Sequence, residues 1–416
     1  MKTISKYYNY LASDSLYGNS IYLMLSTAIM AFFGFFFWII NARLFTPEQV
    51  GIATTLISVM TLISSFSLLG LGNGLIRYLP TSERKNKKIN TAFTLVGLTS
   101  IIITIIYLLF IKIISPSLLF VRENVFFSLL LIIFITFTSL ANLSENIFIA
   151  YRSSLYVLLK NTIFSIIKIV LPIFLISLGA YGIFASVGIA MAISFLLSVG
   201  FLVRKFNYLI KLIVDTDVVK RIFKFSLGNY AAGFIGGLPA MVLPILITNS
   251  IGAKFSAYFY MDMMIINFLY IIPMATSQSL FAEGSYGEME LKTHLKKAIK
   301  IISLILIPAI ILTLSLGKYV LLAFGRSYSN EGVILLQLLT VSVIFNSINY
   351  IIGAIFRIKN MVKELIILGF VNSCLVLFLY MVLIKYGLFG VGIAWMLGQV
   401  ITSVVSIIML VKSKYE

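Results

Sequence analysis

The feature that most constrains this chain is a succession of apolar runs, each long enough to cross the roughly 30 Å hydrocarbon core of a bilayer as a helix. Six runs lie in each half of the 416-residue sequence, and most connectors between them are short. They lie near residues 20–42, 50–76, 91–111, 125–149, 160–178, 183–203, 225–249, 256–281, 298–317, 332–356, 364–384 and 389–411. The sequence therefore predicts an all-α membrane protein with about twelve transmembrane helices in two six-helix lobes.

Composition agrees with a polytopic membrane protein. Hydrophobic residues make up 60% of the chain and charged residues 11%, whereas charged residues make up about 25% of a typical soluble domain. The N-terminal segment is polar and aromatic and leads directly into a full-length span, so we expect no separate cleavable signal. With one cysteine, Cys374, an intramolecular disulfide cannot form.

The lysines and arginines predict the orientation. If the spans alternate, 24 of the 32 basic residues fall on one side of the membrane, 7 on the other, and Lys168 lies within a span. The positive-inside rule makes the first side cytoplasmic. We therefore expect a multi-pass plasma-membrane protein with both termini in the cytoplasm. The net charge of +18 is explained by this asymmetry, so no nucleic-acid partner is expected.

The two halves resemble each other. Arg152 precedes Tyr181–Phe184 as Arg357 precedes Tyr386–Phe389, both at an offset of 205 in the numbering. A weaker echo, at an offset of 206, pairs the segment that starts at Leu44 with the one that starts at Ser250. Such halves are typical of transporters, which handle their substrate between repeats. The sequence therefore predicts that the two lobes are an internal repeat.

A basic connector divides the halves. We expect an N-terminal lobe over residues 1–203, a cytoplasmic amphipathic connector over 204–224, and a C-terminal lobe over 225–416. Asp217 is suited to cap a helix within the connector, whose apolar face is expected to lie along the inner leaflet.

Lys168 is the main candidate binding residue. It lies within the fifth span, on one helical face with Asn161, Ser165 and Pro172 at intervals of four and three residues. Charged side chains within a bilayer are costly and are usually functional. One interpretation is a cation that faces a water-filled cavity and receives an anion. The other is a lysine that extends toward the headgroups.

Further polar residues are candidates of two kinds. Substrate-binding candidates are Arg77, Arg152, Asn142, Asn161, Asn346, Asn349 and Arg357, and ion-coupling candidates are Asp262 and Glu145. Asparagines are equally typical of helix packing, and arginines at the ends of spans are typical topology anchors. Asp262 is suited to a proton or sodium ion, or to pairing with a lysine. Both interpretations stay open.

Enzyme chemistry lacks a basis in the sequence. The triplet Asp215-Thr216-Asp217 has the form of a glycosyltransferase metal motif, but the surrounding connector is too short for a nucleotide-binding domain, so helix capping is the preferred interpretation. Metal-ligand clusters, hydrolytic triads and phosphate loops are not found. We therefore expect neither enzymatic activity nor a cofactor or bound metal.

Four stretches carry a resemblance to a known family. They are Phe45–Pro80, the segment from Tyr151 through Asn161 with the following LGAYGIF, Phe225–Ile247 and Ala257–Ser285. Together they resemble oligosaccharide flippases in the polysaccharide-biosynthesis branch of the multidrug/oligosaccharidyl-lipid/polysaccharide exporter superfamily. The resemblance extends over nearly the whole chain, through small residues, prolines and topology rather than through a site motif.

The resemblance implies two six-helix lobes around a central cavity, and alternating access that moves a lipid-linked oligosaccharide of the polyprenyl-pyrophosphate type to the outer face. Lys168, with Arg77 and Arg152, would meet the anionic headgroup. Expected partners are that substrate, membrane lipids and polysaccharide-assembly enzymes. The alternatives are a cation-coupled multidrug exporter of the same superfamily, and a membrane glycan polymerase or glycosyltransferase.

Overall fold

The computed structural model describes the backbone of residues 15–284 and 291–412, and the side chains of residues 18–216, 230–284 and 291–412. Within these ranges the regular elements are helices, with no strand. In chain order the α-helices are α1 (Ser15–Leu44), α2 (Pro47–Ser67), α3 (Leu71–Tyr78), α4 (Lys85–Ile114), α5 (Leu119–Glu123), α6 (Val125–Ala150), α7 (Ser154–Phe174), α8 (Ala180–Phe206), α9 (Thr216–Ser250), α10 (Ala253–Gly284), α11 (Leu291–Leu322), α12 (Arg326–Ile358), α13 (Val362–Leu383) and α14 (Gly387–Lys412).

The predicted spans are confirmed as helices. In the described residues eleven segments are long and apolar enough to cross a membrane. The last of them, Val362–Lys412, contains both α13 and α14, joined by the short 3-10 turn Ile384–Tyr386. When these two helices are counted separately, twelve spans result, six in each half, as predicted.

The second span differs from its prediction as one run over residues 50–76. It breaks between α2 and α3, where Leu69 and Gly70 both have left-handed backbone, with φ of 50° and 74°. Left-handed residues end an α-helix, and glycine adopts that conformation without a side-chain clash. The apolar pattern continues across the break because α3 buries Leu71 and Leu75 in the same core.

The chain forms two compact units. The first contains Met1–Phe45 and Leu56–Tyr230, and the second contains Thr46–Thr55 and Ala231–Glu416. In the first unit α4 packs on α6, α6 on α8, and α7 on α8; in the second, α11 packs on α12, α12 on α14, and α13 on α14. These are the same pairs by position in each set of six spans, which confirms the internal repeat.

The register of the repeat near its fifth span differs from the predicted offset of 205. The connectors before that span each contain one left-handed residue, Arg152 (φ 53°) in the first half and Asn360 (φ 57°) in the second. The connectors after it contain Gly179 (φ 55°) and Gly387 (φ 65°). In both pairs the offset in the numbering is 208. Chain geometry therefore makes Asn360, and not Arg357, the counterpart of Arg152.

The weaker echo has the correct register. Helices α2 and α10 begin at Pro47 and Ala253, so their offset in the numbering is 206, as the sequence indicated. At the start of α2, the Thr46 hydroxyl accepts from the Gln49 amide N–H, and the Gln49 side chain accepts from the Thr46 amide N–H. This reciprocal pair is a capping box.

The first turns of α2 pack tightly within the second unit. A methyl group on Gly51 would lie 1.7 Å from the carbonyl oxygen of Ala253, so only glycine fits there. Buried hydroxyl groups continue the contact, since Thr55 Oγ1 lies 2.6 Å from Thr248 Oγ1 and Thr54 Oγ1 lies 3.3 Å from Ser256 Oγ.

The connector between the halves is irregular and then helical. Residues 207–215 have no regular structure, and α9 then runs without interruption from Thr216 to Ser250, across residue 225 where the C-terminal lobe was expected to begin. Asp217, the expected cap, and the expected amphipathic face lie among residues 217–229, outside the residues whose side chains the structure describes.

Candidate substrate and ion sites

Lys168 lies deeper along its helix than its span boundary suggested. Helix α7 begins at Ser154, so Lys168 lies almost four helical turns further on, or about 21 Å at about 1.5 Å per residue. The face with Asn161 and Ser165 is buried, whereas Ile166 and Val170 on other faces are 46% and 44% exposed. Lys168 therefore lies on the inward face of α7.

An aromatic environment surrounds the Lys168 ammonium group. Its Nζ lies 4.8 Å from the ring centroid of Phe164 and 5.5 Å from that of Phe37 on α1, and the side chain is 9% exposed. On the same side of α1, Gly34 has no side chain, and a methyl group there would lie 3.9 Å from Nζ. Among the described residues Lys168 Nζ has no carboxylate or hydrogen-bond acceptor. It is a buried cation held by ring faces alone, which disfavours extension to the headgroups.

A second lysine on α7, missed as a site residue in the sequence, is fully compensated. Lys160 Nζ lies 3.2 Å from Glu145 Oε2 and donates to the carbonyl oxygen of Ala141 at 3.2 Å. Asn161 Nδ2 donates to Ser26 Oγ at 2.9 Å and reaches Glu145 Oε2 at 3.4 Å. Glu145, expected to bind a coupling ion, is thus paired with a buried ammonium group. The sequence does contain a signal for Lys160, the partner of Glu145, because Lys160 lies two helical turns before Lys168 on the same helix.

The remaining candidates of the first unit do not gather at Lys168. Asn142 Nδ2 donates to Ser64 Oγ at 3.2 Å, a contact between α6 and α2 that matches the packing interpretation. Arg77 and Arg152 are exposed. Arg77 lies at the end of α3, above the Tyr78 ring, and Arg152 lies in the connector before α7. Arg152 is therefore separated from Lys168 by most of the length of α7.

The asparagines of the second unit meet a residue that the sequence did not single out. Asn346 and Asn349 on α12 both donate to Gln399 Oε1 on α14, at 3.1 and 3.4 Å. Gln399 Nε2 donates in turn to Asn372 Oδ1 on α13 at 3.0 Å. This amide cluster joins three helices. Arg357 lies at the end of α12 and is exposed, apart from the cluster.

Asp262 is a buried carboxylate in the second unit. It is 0% exposed, and in the described part of the chain neither of its oxygens has a hydrogen-bond partner. The carboxylate packs against the backbone of Gly332 on α12, where a methyl group would lie 3.3 and 3.4 Å from its two oxygens. Pairing with a lysine, one of the two interpretations from the sequence, is not observed among the described residues.

Within the described ranges no three His, Cys, Asp or Glu side chains gather as a metal site. Among the described residues, the buried charges without a partner divide by unit: the Lys168 ammonium group lies in the first and the Asp262 carboxylate in the second. Such an arrangement is suited to binding an anion and exchanging a small cation.

Solved structures with the same fold are membrane transporters. An inward-facing multidrug resistance MATE family transporter of the MOP superfamily matches with a TM-score of 0.73 and 17% identity, over 94% of this chain and 97% of its own. The lipid II flippase MurJ, inward closed, matches with a TM-score of 0.76 and 16% identity, over 94% and 87%. A MOP superfamily transporter from Pyrococcus furiosus, described as having a binding pocket of reverse polarity, matches with a TM-score of 0.61 and 17% identity, over 96% of both chains. At these identities the likeness shows the fold.

The sequence family is more specific than the fold. No curated protein matches the sequence significantly. A family model described as polysaccharide biosynthesis protein matches residues 40–331, well over half of the chain. That range covers the three buried charged residues of the described chain, Lys160, Lys168 and Asp262. The chain therefore belongs to the polysaccharide biosynthesis protein family.

Proposed function

We propose that this protein is a flippase that moves a lipid-linked oligosaccharide of the polyprenyl-pyrophosphate type from the cytoplasmic to the outer face of the plasma membrane. The observation that carries the proposal is the Lys168 ammonium group, which is buried without a counter-anion among the described residues. A charge in that state is costly unless a ligand compensates it. A pyrophosphate headgroup supplies that compensation.

The aromatic walls fit the same substrate. Phe37 and Phe164 hold the ammonium group by their ring faces, an interaction that keeps the cation in place without neutralising it. The cation therefore keeps its attraction for a phosphate. Family membership supports a role in polysaccharide assembly, and a fold shared with a lipid II flippase supports lipid-linked cargo.

Lys168→Ala is expected to abolish transport while the amount of protein in the membrane stays unchanged. The gene for this protein is deleted in the native host, and the deletion strain is complemented with wild type, K168A, K168R or the control K385A. Lys385 is exposed in a connector. The lipid-linked sugar that accumulates on the inner leaflet is then measured by mass spectrometry. K168A should accumulate it like the deletion strain, and K385A should not. Undiminished transport by K168A removes Lys168 from the site.

The alternative function is a cation-coupled multidrug exporter. MATE transporters have the same fold, and Asp262 is the type of residue that such an exporter would use for a cation. The same strains separate the two functions. A flippase leaves the efflux of cationic dyes unchanged on deletion, whereas an exporter loses dye efflux and accumulates no lipid-linked sugar.

A further inference from the structure

The irregular connector Asn207–Asp215 is held on the first turns of α4. Asn90, itself buried, is the centre of the attachment: its Nδ2 donates to the carbonyl oxygen of Leu209 at 2.8 Å, and its Oδ1 accepts from Tyr208 Oη at 2.6 Å and from the Lys211 amide N–H at 2.9 Å. Burial raises the pKa of Tyr208 to about 12, so its hydroxyl stays a neutral donor at physiological pH. The backbone of the connector is thus well fixed.

Both ends of the connector are attached as well. Asn86 Nδ2 donates to the carbonyl oxygen of Asn207 at 3.2 Å. At the other end the Asp215 amide N–H donates to Thr91 Oγ1 at 3.1 Å, and the Asp215 carboxylate forms an ion pair with Lys87. The connector is therefore a strap fastened along its length, and we use the name strap for residues 207–215.

The strap presents apolar side chains outward. Leu209 is 62% exposed, Ile210 65%, Leu212 89% and Val214 46%. A polypeptide fixed by so many hydrogen bonds does not place four large aliphatic side chains in water without cost, since each full burial is worth about 1.5–3 kcal/mol. Exposed apolar surface of this kind marks an interaction site.

The position of the strap along α4 indicates what covers it. The residues that hold the strap lie between Asn86 and Thr91, and the run from Ala92 to Ile111 that follows contains no charged side chain. A helical run of this length spans about 30 Å, the thickness of the hydrocarbon core. The strap therefore lies where the span meets the headgroups.

Exposed basic side chains lie on and beside the strap. Lys211 belongs to it, Arg204 and Lys205 precede it at the end of α8, and Arg84 precedes α4; all four are exposed. The carboxylate of the strap, on Asp215, is already paired with Lys87. A cationic, apolar surface at the headgroup level is complementary to anionic phospholipids.

We propose that the strap is a lipid-binding surface, with its aliphatic side chains inserted in the adjoining leaflet and its basic residues bound to anionic phospholipid headgroups. The apolar contacts hold the strap at the membrane boundary, and the basic residues select the lipid by charge. This binding is independent of the Lys168 site and of the substrate.

Charge selection is tested on the purified full-length protein by titration with phosphatidylglycerol and with phosphatidylcholine, followed by native mass spectrometry. K205Q/K211Q should weaken phosphatidylglycerol binding by about fivefold for each lysine removed and leave phosphatidylcholine binding unchanged. The control K254Q/K385Q removes two exposed lysines from other connectors and should behave as wild type. Unchanged phosphatidylglycerol binding in K205Q/K211Q, or an equal loss in the control, overturns the proposal.

Insertion is tested separately with a nitroxide on residue 212. Leu212→Cys is made in the C374S background, because Cys374 is exposed and would also react, and Thr81→Cys in an exposed loop is the control. In phosphatidylglycerol nanodiscs, oxygen, which concentrates in lipid, should enhance the spin relaxation of the label at residue 212. A water-soluble nickel complex should enhance that of the label at residue 81. A water-like profile at residue 212 overturns insertion. Because Leu212 is 89% exposed, a label at this position disturbs no packing.

Discussion

At the residue scale, two lysines of α7 show how burial and compensation differ. Lys160 and Lys168 are both largely buried, yet Lys160 has a carboxylate at 3.2 Å and Lys168 has ring faces alone. A buried charge with a partner is structural, since removal of the partner destabilises the fold. A buried charge without one is poised for a ligand. We therefore expect the two lysines to respond differently to substitution.

Glu145→Gln is expected to lower the free energy of unfolding by up to ~3 kcal/mol, because it leaves the Lys160 ammonium group buried without a counter-charge. The loss of free energy should be smaller than for a fully buried ion pair. The Glu145 side chain is 36% exposed, so water can replace part of the lost interaction with Lys160. Thermal unfolding in detergent provides the measurement. The double variant E145Q/K160M should recover most of the loss, and a double variant as unstable as E145Q would contradict the pairing.

Asp262→Asn is expected to weaken the proton or sodium dependence of transport while the thermal stability stays the same or rises. The physical reason is that an unpartnered carboxylate in a site with 0% exposure stabilises nothing when it is ionised. Transport is measured in vesicles with imposed proton and sodium gradients. An ion response identical to that of wild type would exclude coupling through Asp262. A fall in stability would instead indicate a structural partner.

At the element scale, the joint before the sixth span of each half depends on one glycine. A methyl group on Gly182 would lie 2.2 Å from the carbonyl oxygen of Leu175, and one on Gly390 would lie 1.8 Å from that of Leu383. Gly182 and Gly390 differ by 208 in the numbering, as do Leu175 and Leu383. The same offset relates Gly179 and Gly387, the residues with positive φ in the two joints. The short 3-10 turn brings the end of one helix against the start of the next, so that only a hydrogen atom fits.

Gly182→Ala is expected to lower the free energy of unfolding by about 1–3 kcal/mol, the typical cost of overpacking a close contact. The matched control is Gly200→Ala in the same helix, where nothing lies within 4 Å of the added methyl group. The control should be as stable as wild type or slightly more stable, because alanine favours the interior of a helix over glycine. Thermal unfolding of both variants in the same detergent tests the difference, and equal stability of the two variants would show that the joint can relax.

At the scale of the whole molecule, α2 is shared between the units. Its first turns, through Thr55, belong to the second unit, and its remainder from Leu56 belongs to the first. If the protein works by the proposed alternating access, its two units change their arrangement during the cycle, and α2 must then either bend or release its first turns. Beyond Gly51 the helix contains neither glycine nor proline, the usual causes of a bend. We therefore expect the contact of Thr55 with Thr248 to break and re-form.

The variant T55C/T248C, made in the C374S background, is accordingly expected to lose transport on oxidation and to regain it on reduction. The two hydroxyl oxygens lie 2.6 Å apart, so the introduced thiols should be close enough to react. Each single substitution serves as a control and should not respond to oxidant. Full transport by the cross-linked protein would show that the first turns of α2 stay in place throughout the cycle.

Asymmetry of charge is the second property of the whole molecule. At the offset of 208 the position equivalent to Lys168 is Val376, and at the offset of 206 the position equivalent to Asp262 is Leu56. Both counterparts are buried aliphatic residues. The repeat therefore preserves helix packing but not polarity. Each unit therefore has its own buried charge without a partner among the described residues, Lys168 in the first and Asp262 in the second.

Membrane insertion explains how much of the fold could be predicted. The number of spans follows from local hydrophobicity, because any segment that crosses hydrocarbon must satisfy its backbone groups as a helix. The repeat was predicted from matching segments in the two halves. The break at Leu69 and Gly70 was not predicted because the apolar pattern continues across it. The offset of 205 was three positions short because apolar segments align well in several registers. The cytoplasmic orientation of the termini stays a prediction from the lysine distribution.

The sequence by itself determined that the chain spans a membrane as two repeated sets of helices, since burial in lipid depends on the composition of each segment alone. It also determined that Lys168 and Asp262 are exceptional, because charges within apolar runs are costly wherever they lie. Only the tertiary structure decided that Glu145 neutralises Lys160, that Gln399 gathers the asparagines, and that Lys168 and Asp262 lack partners among the described residues. Compensation of a charge depends on side chains from other helices, and their distances are set by packing rather than by order along the chain.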